Sequence, residues 1–244
     1  MLVTRQFLIK QIPNFLTTLN LLCGVFGMMA VFENRLDWTA YFIVLAAFFD
    51  FLDGTVARLL NVKSEFGKQL DSLADMISFG LLPGVILFFL FLESQPQIVV
   101  TINSINIIPY LAFLIPVFSA LRLAKFNVDP RQTEIFLGLP TPANTLLIVS
   151  FSLIHLNIFC DYSFLTSLSS NSYFLLGLTF VSCFLLIAEF PLHSLKLKSL
   201  KLRDNKPQFI LMIVAIVMIA IFKVVAVPIV LLFYIVLSIV IKPK

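Results

Sequence analysis

The chain has 244 residues, 60% of them hydrophobic and 12% charged, with a mean hydropathy of +1.03. A soluble domain carries ~25% charged residues, so this composition excludes a water-soluble globule and gives an integral membrane protein. The net charge of +4 suits basic span flanks lying against anionic head groups, and no nucleic-acid partner is expected.

Membrane spans need roughly 17–25 apolar residues each. Residues 1–12, MLVTRQFLIKQI, alternate basic and apolar positions ahead of Pro13 and read as a short helix lying in the interface. Apolar windows follow at 14–32, 40–60, 72–92, 106–126, 143–160, 173–190, 208–223 and 225–241. The expected fold is all-α: a polytopic transmembrane helix bundle of about eight spans with a short N-terminal interfacial helix. Of the 17 Lys and Arg, only Arg35 and Lys223 fall on the outer side of this parse. Arg5, Lys10, Arg58, Lys63, Lys68, Arg122, Lys125, Arg131, the loop cluster Lys196–Lys206 and the terminal Lys242 and Lys244 fall on the other. The positive-inside rule then puts both termini in the cytoplasm.

The first span opens with Asn14, Thr17, Thr18 and Asn20 in IPNFLTTLN. Polar residues in a span are commonly interhelical glue; four so close together at the cytoplasmic end also fit a head-group site. Trp38 sits where an interfacial aromatic anchors. Cys23, Cys160 and Cys183 are scattered and lack the spacing of a disulfide or zinc framework. His155 and His193 have no carboxylate nearby in sequence and read as structural or interfacial.

The chemistry concentrates in residues 48–80, FFDFLDGTVARLLNVKSEFGKQLDSLADMISFG. An Asp at mid-membrane costs ~2.5–3.5 kcal/mol on insertion scales, and this stretch holds four. Asp50, Asp53, Gly54 and Ala57 follow i, i+3, i+4, i+7, one face of a helix. Gly67, Asp71 and Asp75 follow i, i+4, i+8 in the next helix, with Ser78 continuing the stripe. The short loop between makes the helices antiparallel neighbours, so the two pairs can converge. Four clustered carboxylates cannot all stay ionised without cations among them, and all-oxygen ligands select hard divalent ions such as Mg²⁺ or Mn²⁺. Two such ions clamp phosphoryl oxygens, and Arg58 could bind a second phosphate. Phosphoryl chemistry on a lipid is one reading; a proton or cation path through a divalent-cation transporter is the other.

The pattern D-x2-D-G-x2-A-R-x8-G-x3-D-x3-D, filled by Asp50, Asp53, Gly54, Ala57, Arg58, Gly67, Asp71 and Asp75, resembles the signature of the CDP-alcohol phosphotransferases. IPNFLTTLN at 12–20, FGKQLDSLADMISFGLLPG at 66–84, LRLAKFN at 121–127 and GLPTPA at 138–143 are similar to the bacterial-type, membrane-integral phosphatidylserine synthase branch. Beyond residue 143 only hydropathy supports the likeness. Lys125 departs from the Arg expected in that branch, which keeps the charge but loses the bidentate fork.

The resemblance implies one membrane-embedded CDP-alcohol phosphotransferase domain over residues 1–244, with the last two spans, 208–241, peripheral to its catalytic core. It implies two divalent ions, Mg²⁺ or Mn²⁺, on Asp50, Asp53, Asp71 and Asp75, the last also serving as general base. Gly54 and Arg58 would contact the CDP group, and Asn14, Thr17, Asn20, Ser64 and Gly67 complete the CDP-lipid-binding set. Arg122 and Lys125, with Asn127 beside them, stand where a soluble acceptor's carboxylate would need a cation. The implied reaction transfers the phosphatidyl group from CDP-diacylglycerol to the hydroxyl of L-serine, releasing CMP. The implied setting is a homodimer among the lipids of the cytoplasmic (inner) membrane, its site facing the cytoplasm. Glycerol 3-phosphate, inositol phosphate or choline-type acceptors define sister transferases.

Overall fold

The computed structural model describes residues 2–62, 64–129, 136–158, 162–192 and 206–240. Helix α1 (Leu2–Phe32) runs unbroken through Pro13. The expected short helix over residues 1–12 is therefore no separate element but the first turns of a 31-residue helix. A tight turn with Asn34 at φ 56° leads into α2 (Leu36–Leu59), antiparallel to α1 and packed along it.

Along α2 the spacing of three and four residues separates two faces. Leu36, Thr39, Ile43, Ala46 and Asp53 are buried, whereas Tyr41, Val44, Phe48 and Phe51 are exposed. The exposed apolar face is what a helix turns towards lipid. The buried stripe starts apolar and ends in carboxylates, so the same helical period that packs the bundle also points Asp50 and Asp53 inward.

A second turn, with Asn61 at φ 54°, joins α2 to α3 (Glu65–Asp75). Ser64 caps α3, its Oγ accepting a hydrogen bond from the Gly67 amide at 3.0 Å. After Asp75 the helix widens into a π segment, Met76–Leu81, and continues as α4 (Leu82–Glu93). Glu65–Glu93 together form one apolar stretch of 29 residues. A two-stranded β1 (Thr101–Ile102) and β2 (Ile105–Asn106) hairpin and a 3₁₀ turn, Pro109–Phe113, precede α5 (Leu114–Val128). Next come β3 (Phe136–Leu137), α6 (Thr141–His155), α7 (Ser163–Ser169), α8 (Ser172–Ile187) and β4 (Pro191–Leu192), with β3 and β4 paired antiparallel. Last, α9 (Lys206–Phe222) and α10 (Ala226–Val240) pack on each other about a 3₁₀ turn at Lys223, and α10 also packs on α6.

The architecture is an all-α polytopic membrane bundle. By length and hydropathy the described residues hold five helical stretches able to cross a membrane, or six if the bent pair Ser163–Ser169 and Ser172–Ile187 counts as one. The sequence windows read eight. The difference arises because α6, with 15 residues, is short for a crossing, and because Ile213–Ser238 counts as a single stretch spanning both α9 and α10. The basic connection 193–205, Lys63, Arg131, Cys160, His193 and residues 241–244 lie outside the described residues.

The core gathers Ile43, Leu82, Ile86, Leu90, Ile115, Ile148 and Leu175. Small residues let backbones close in, as they do between membrane helices. A Cβ on Gly24 would meet the Ser78 backbone at 2.9 Å, one on Gly27 would meet Leu82 Cδ2 at 2.7 Å, and one on Gly84 would meet Pro116 Cδ at 2.7 Å. These contacts seat α1 on the π segment and α5 on α4. Away from the aspartates, His155 sits between Glu93 Oε2 at 3.0 Å and Ser170 Oγ at 2.9 Å, tying together the ends of α4, α6 and α7. The carboxylate that the local sequence did not offer His155 comes from 62 residues away.

Candidate active site

The α1–α2 hairpin and α3 bring both aspartate pairs to one end of the bundle. One carboxylate oxygen from each of Asp50, Asp53 and Asp71 lies within 4.8 Å of the others. Asp53 is 6% exposed, and Thr17 of α1 donates to its Oδ2 at 2.5 Å while also reaching the Pro13 carbonyl at 3.0 Å. Asp71 Oδ1 is buried with no protein partner. A carboxylate oxygen stripped of water and left without a donor is costly; a cation among the three groups satisfies it. The donor set, all carboxylate oxygen, is that of a hard divalent ion, so the residues fit the expected metal.

Asp75 lies one helical turn beyond Asp71 and outside that trio. Asn20 of α1 donates to its Oδ1 from 3.1 Å. Two of the four polar residues that open the first span, Thr17 and Asn20, thus each hold one aspartate. Thr18 is turned to its own backbone, donating to the Asn14 carbonyl at 2.8 Å.

Beside the trio is a cleft of about 450 Å³ lined by Asn14, Thr17, Asp53, Gly54, Ala57, Ser64, Gly67, Lys68 and Asp71, with Pro13, Val62 and Glu65. Every residue named from the sequence for CDP-lipid binding lines it except Asn20 and Arg58. A Cβ on Gly67 would stand 3.0 Å from Ser64 Oγ and 3.1 Å from Asn14 Oδ1, so the glycine keeps that wall open. Arg58 lies at the edge of a second, larger groove of about 1010 Å³, lined otherwise mostly by apolar residues of α2, α6, α9 and α10. Its Nη2 donates to Thr55 Oγ1 at 3.2 Å.

The three acceptor candidates separate. Arg122 is 6% exposed, and its guanidinium carbon lies 5.9 Å from the centroid of the Phe126 ring. Lys125 is ion-paired with Glu189. Asn127 donates to Ser72 Oγ at 2.7 Å, while its carbonyl accepts from Lys68 Nζ at 2.9 Å, an arrangement that fastens α5 to α3. The π segment after Asp75 was invisible in the sequence pattern, although such segments gather at functional sites.

A family model described as CDP-alcohol phosphatidyltransferase matches residues 10–176, most of the chain and all four aspartates. The chain belongs to this family. Among the curated relatives of this CDP-alcohol phosphatidyltransferase family member are three named CDP-diacylglycerol–serine O-phosphatidyltransferase. The protein from Bacillus subtilis (strain 168) is 32% identical over 145 residues, covering 59% of this chain and 77% of that protein. That from Helicobacter pylori (strain ATCC 700392 / 26695) is 32% identical over 139 residues, 56% of this chain and 55% of its own length. That from Methanocaldococcus jannaschii is 36% identical over 143 residues, 59% of this chain and 61% of its own length. The chain thus spans little more than half of the latter two. Helices α9 and α10 lie beyond the family match.

Proposed function

We propose that this family member is a CDP-diacylglycerol–serine O-phosphatidyltransferase, moving a phosphatidyl group from CDP-diacylglycerol to the hydroxyl of L-serine with release of CMP. The observation that carries the reading is the convergence of Asp50, Asp53 and Asp71 beside a polar cleft, in a chain whose relatives are named for this reaction. Asp50, Asp53 and Asp71 would hold Mg²⁺ or Mn²⁺, two ions in all, with Asp75 at the edge of the second. Bound there, the metal supplies charge neutralisation at the phosphoryl oxygens.

The protein's own residues do the rest. Thr17 fixes the orientation of Asp53. Asn14, Ser64 and Gly67 shape the cleft for the cytidine diphosphate, and Gly54 leaves space beside Asp53 for it. Arg58 lines the apolar groove, its Nη1 3.5 Å from where a Cβ on Gly54 of the cleft would stand, and suits a phosphate whose acyl chains lie in that groove. Asp75, held by Asn20, takes the proton from the serine hydroxyl. The serine oxygen then attacks the β-phosphorus, and the bond to CMP breaks. Arg122 faces the carboxylate of the acceptor.

On this reading the family member works as a homodimer in the inner membrane, with both termini and the site on the cytoplasmic side. Incubation of the purified protein with CDP-diacylglycerol, Mn²⁺ and radiolabelled L-serine tests the reading. Label should enter a chloroform-soluble phospholipid; label left wholly in the aqueous phase would overturn it.

A further inference from the structure

Helix α3 carries two neighbouring stripes. Gly67 and Asp71 line the CDP-lipid cleft, with Asp75 one turn further on. Lys68 and Ser72, each one residue later, meet the end of α5 instead. Lys68 Nζ donates to the Asn127 carbonyl at 2.9 Å, and Asn127 Nδ2 donates to Ser72 Oγ at 2.7 Å. Ser72 Oγ in turn donates to the Lys68 carbonyl at 3.2 Å. Asn127 is thus held by its main chain and its side chain, through two residues that sit one above the other on α3.

Lys68 belongs to a second setting as well. It lines the CDP-lipid cleft, where among the described residues it is the one cation, alongside the acids Asp53, Glu65 and Asp71. Its side chain is exposed, so the bond to Asn127 does not serve to bury a charge. An ammonium offers three donors. The Asn127 carbonyl takes one and, being neutral, cancels none of the charge. Two donors are left for an anion, and a phosphate oxygen accepts more strongly than a carbonyl does. A diphosphate has two ends to hold, and the site has a cation on each side. Arg58 lines the apolar groove and so suits the phosphate that stays with the lipid. The other phosphate falls on the cleft side, where Ser64, Gly67 and Lys68 form the wall.

We infer that Lys68 binds the phosphate that departs as CMP, and that Asn127 is the mount of Lys68 and not a ligand of the acceptor. The inference rests on the CDP-lipid reading and deepens it. When the serine oxygen bonds to the β-phosphorus, the bond from that phosphorus to the bridging oxygen breaks. Its electron pair stays on the bridging oxygen, which leaves as part of the CMP phosphate. Lys68 keeps its proton and offsets that charge as it develops. The mount matters because an ammonium on a flexible four-carbon stem is otherwise free to turn away. Fixed to the end of α5, it stands in place before the donor arrives.

Titration calorimetry of the full-length protein in detergent with Mn²⁺ tests this, with CMP and cytidine as the probes. Lys68→Met should weaken CMP about tenfold or more, the size of a lost charge-assisted contact, while cytidine, which has no phosphate, stays within about twofold. Lys68→Arg, which keeps the charge, should hold CMP within about threefold of wild type. Asn127→Ala frees the end of α5 from Ser72. It should raise the CDP-diacylglycerol KM about threefold, the cost of re-ordering one loosened side chain on binding, and leave the serine KM unchanged. A wild type that binds CMP, with its affinity unchanged in Lys68→Met or with cytidine weakened equally, overturns the assignment of Lys68 and leaves the CDP-lipid reading intact. A serine KM that rises in Asn127→Ala while that for CDP-diacylglycerol does not overturns the mount. A wild type that binds neither CMP nor CDP-diacylglycerol overturns the CDP-lipid reading, and the role of Lys68 with it.

Discussion

Thr17→Val removes one hydroxyl and little else. Thr17 is 3% exposed, so the isosteric valine fills the same space without a cavity. What disappears is the 2.5 Å hydrogen bond to Asp53 Oδ2. The contact to the Pro13 carbonyl at 3.0 Å goes with it, but it lies within α1 and contributes little to the site. Hydrogen bonds to charged groups contribute ~1.5–3 kcal/mol, and removing a partner of a metal ligand lowers affinity about 10–100-fold. These two estimates agree, since each ~1.4 kcal/mol is a factor of ten. The Mn²⁺ concentration for half-maximal CMP release should therefore rise about 10–100-fold, with kcat near wild type at saturating metal. Titration calorimetry of Mn²⁺ into the detergent-solubilised variant should show the same shift. An unchanged metal requirement with a depressed kcat would mean that Thr17 does not act through Asp53 and that the metal assignment to Asp53 is wrong.

Asp71→Asn should abolish turnover while the protein still inserts, as should EDTA on the wild type, and Mg²⁺ or Mn²⁺ should restore only the latter; activity in metal-free Asp71→Asn protein would refute the ligand role. Asp75→Asn should keep CDP-lipid binding and most of its metal affinity but lose about 10²–10⁴-fold in kcat, the usual range for a lost general base; recovery of kcat by excess Mn²⁺ would make Asp75 a ligand only. Arg122→Met should raise the serine KM about 10–100-fold, from the loss of a charge-assisted contact, whereas Lys125→Met, which breaks only the partly exposed pair with Glu189, should change it less than threefold; the reverse order would move the acceptor site to Lys125. Gly67→Val should raise the CDP-diacylglycerol KM without altering that for serine, because its side chain would displace Ser64 and Asn14.

The aspartate end of the molecule was legible because its residues obey helical periodicity. The face Asp50–Asp53–Gly54–Ala57 was read from spacing alone, and its carboxylates do meet that of Asp71. The polar residues that open the first span were read as interhelical glue or a head-group site, and two of them, Thr17 and Asn20, do bond across to Asp53 and Asp75. What stayed hidden depends on tertiary approach. Composition could not separate Arg122 from Lys125, because both lie in LRLAKFN; only packing turns one inward and pairs the other with Glu189, 64 residues on. The span count was hard to fix for a related reason. Hydropathy windows do not see that α6 stops at 15 residues or that α7 and α8 meet at a bend of 69°.

The central claim is that four aspartates at one end of the bundle drive metal-dependent transfer from a CDP-lipid to serine. CMP release by the purified full-length protein tests it most directly, with CDP-diacylglycerol as donor and L-serine, glycerol 3-phosphate, inositol phosphate and choline as acceptors, each with and without Mn²⁺. The account predicts CMP release that requires both serine and the metal and that is absent from Asp71→Asn. Release driven by another acceptor in preference to serine, or a protein that moves divalent cations across vesicles and releases no CMP, would contradict it.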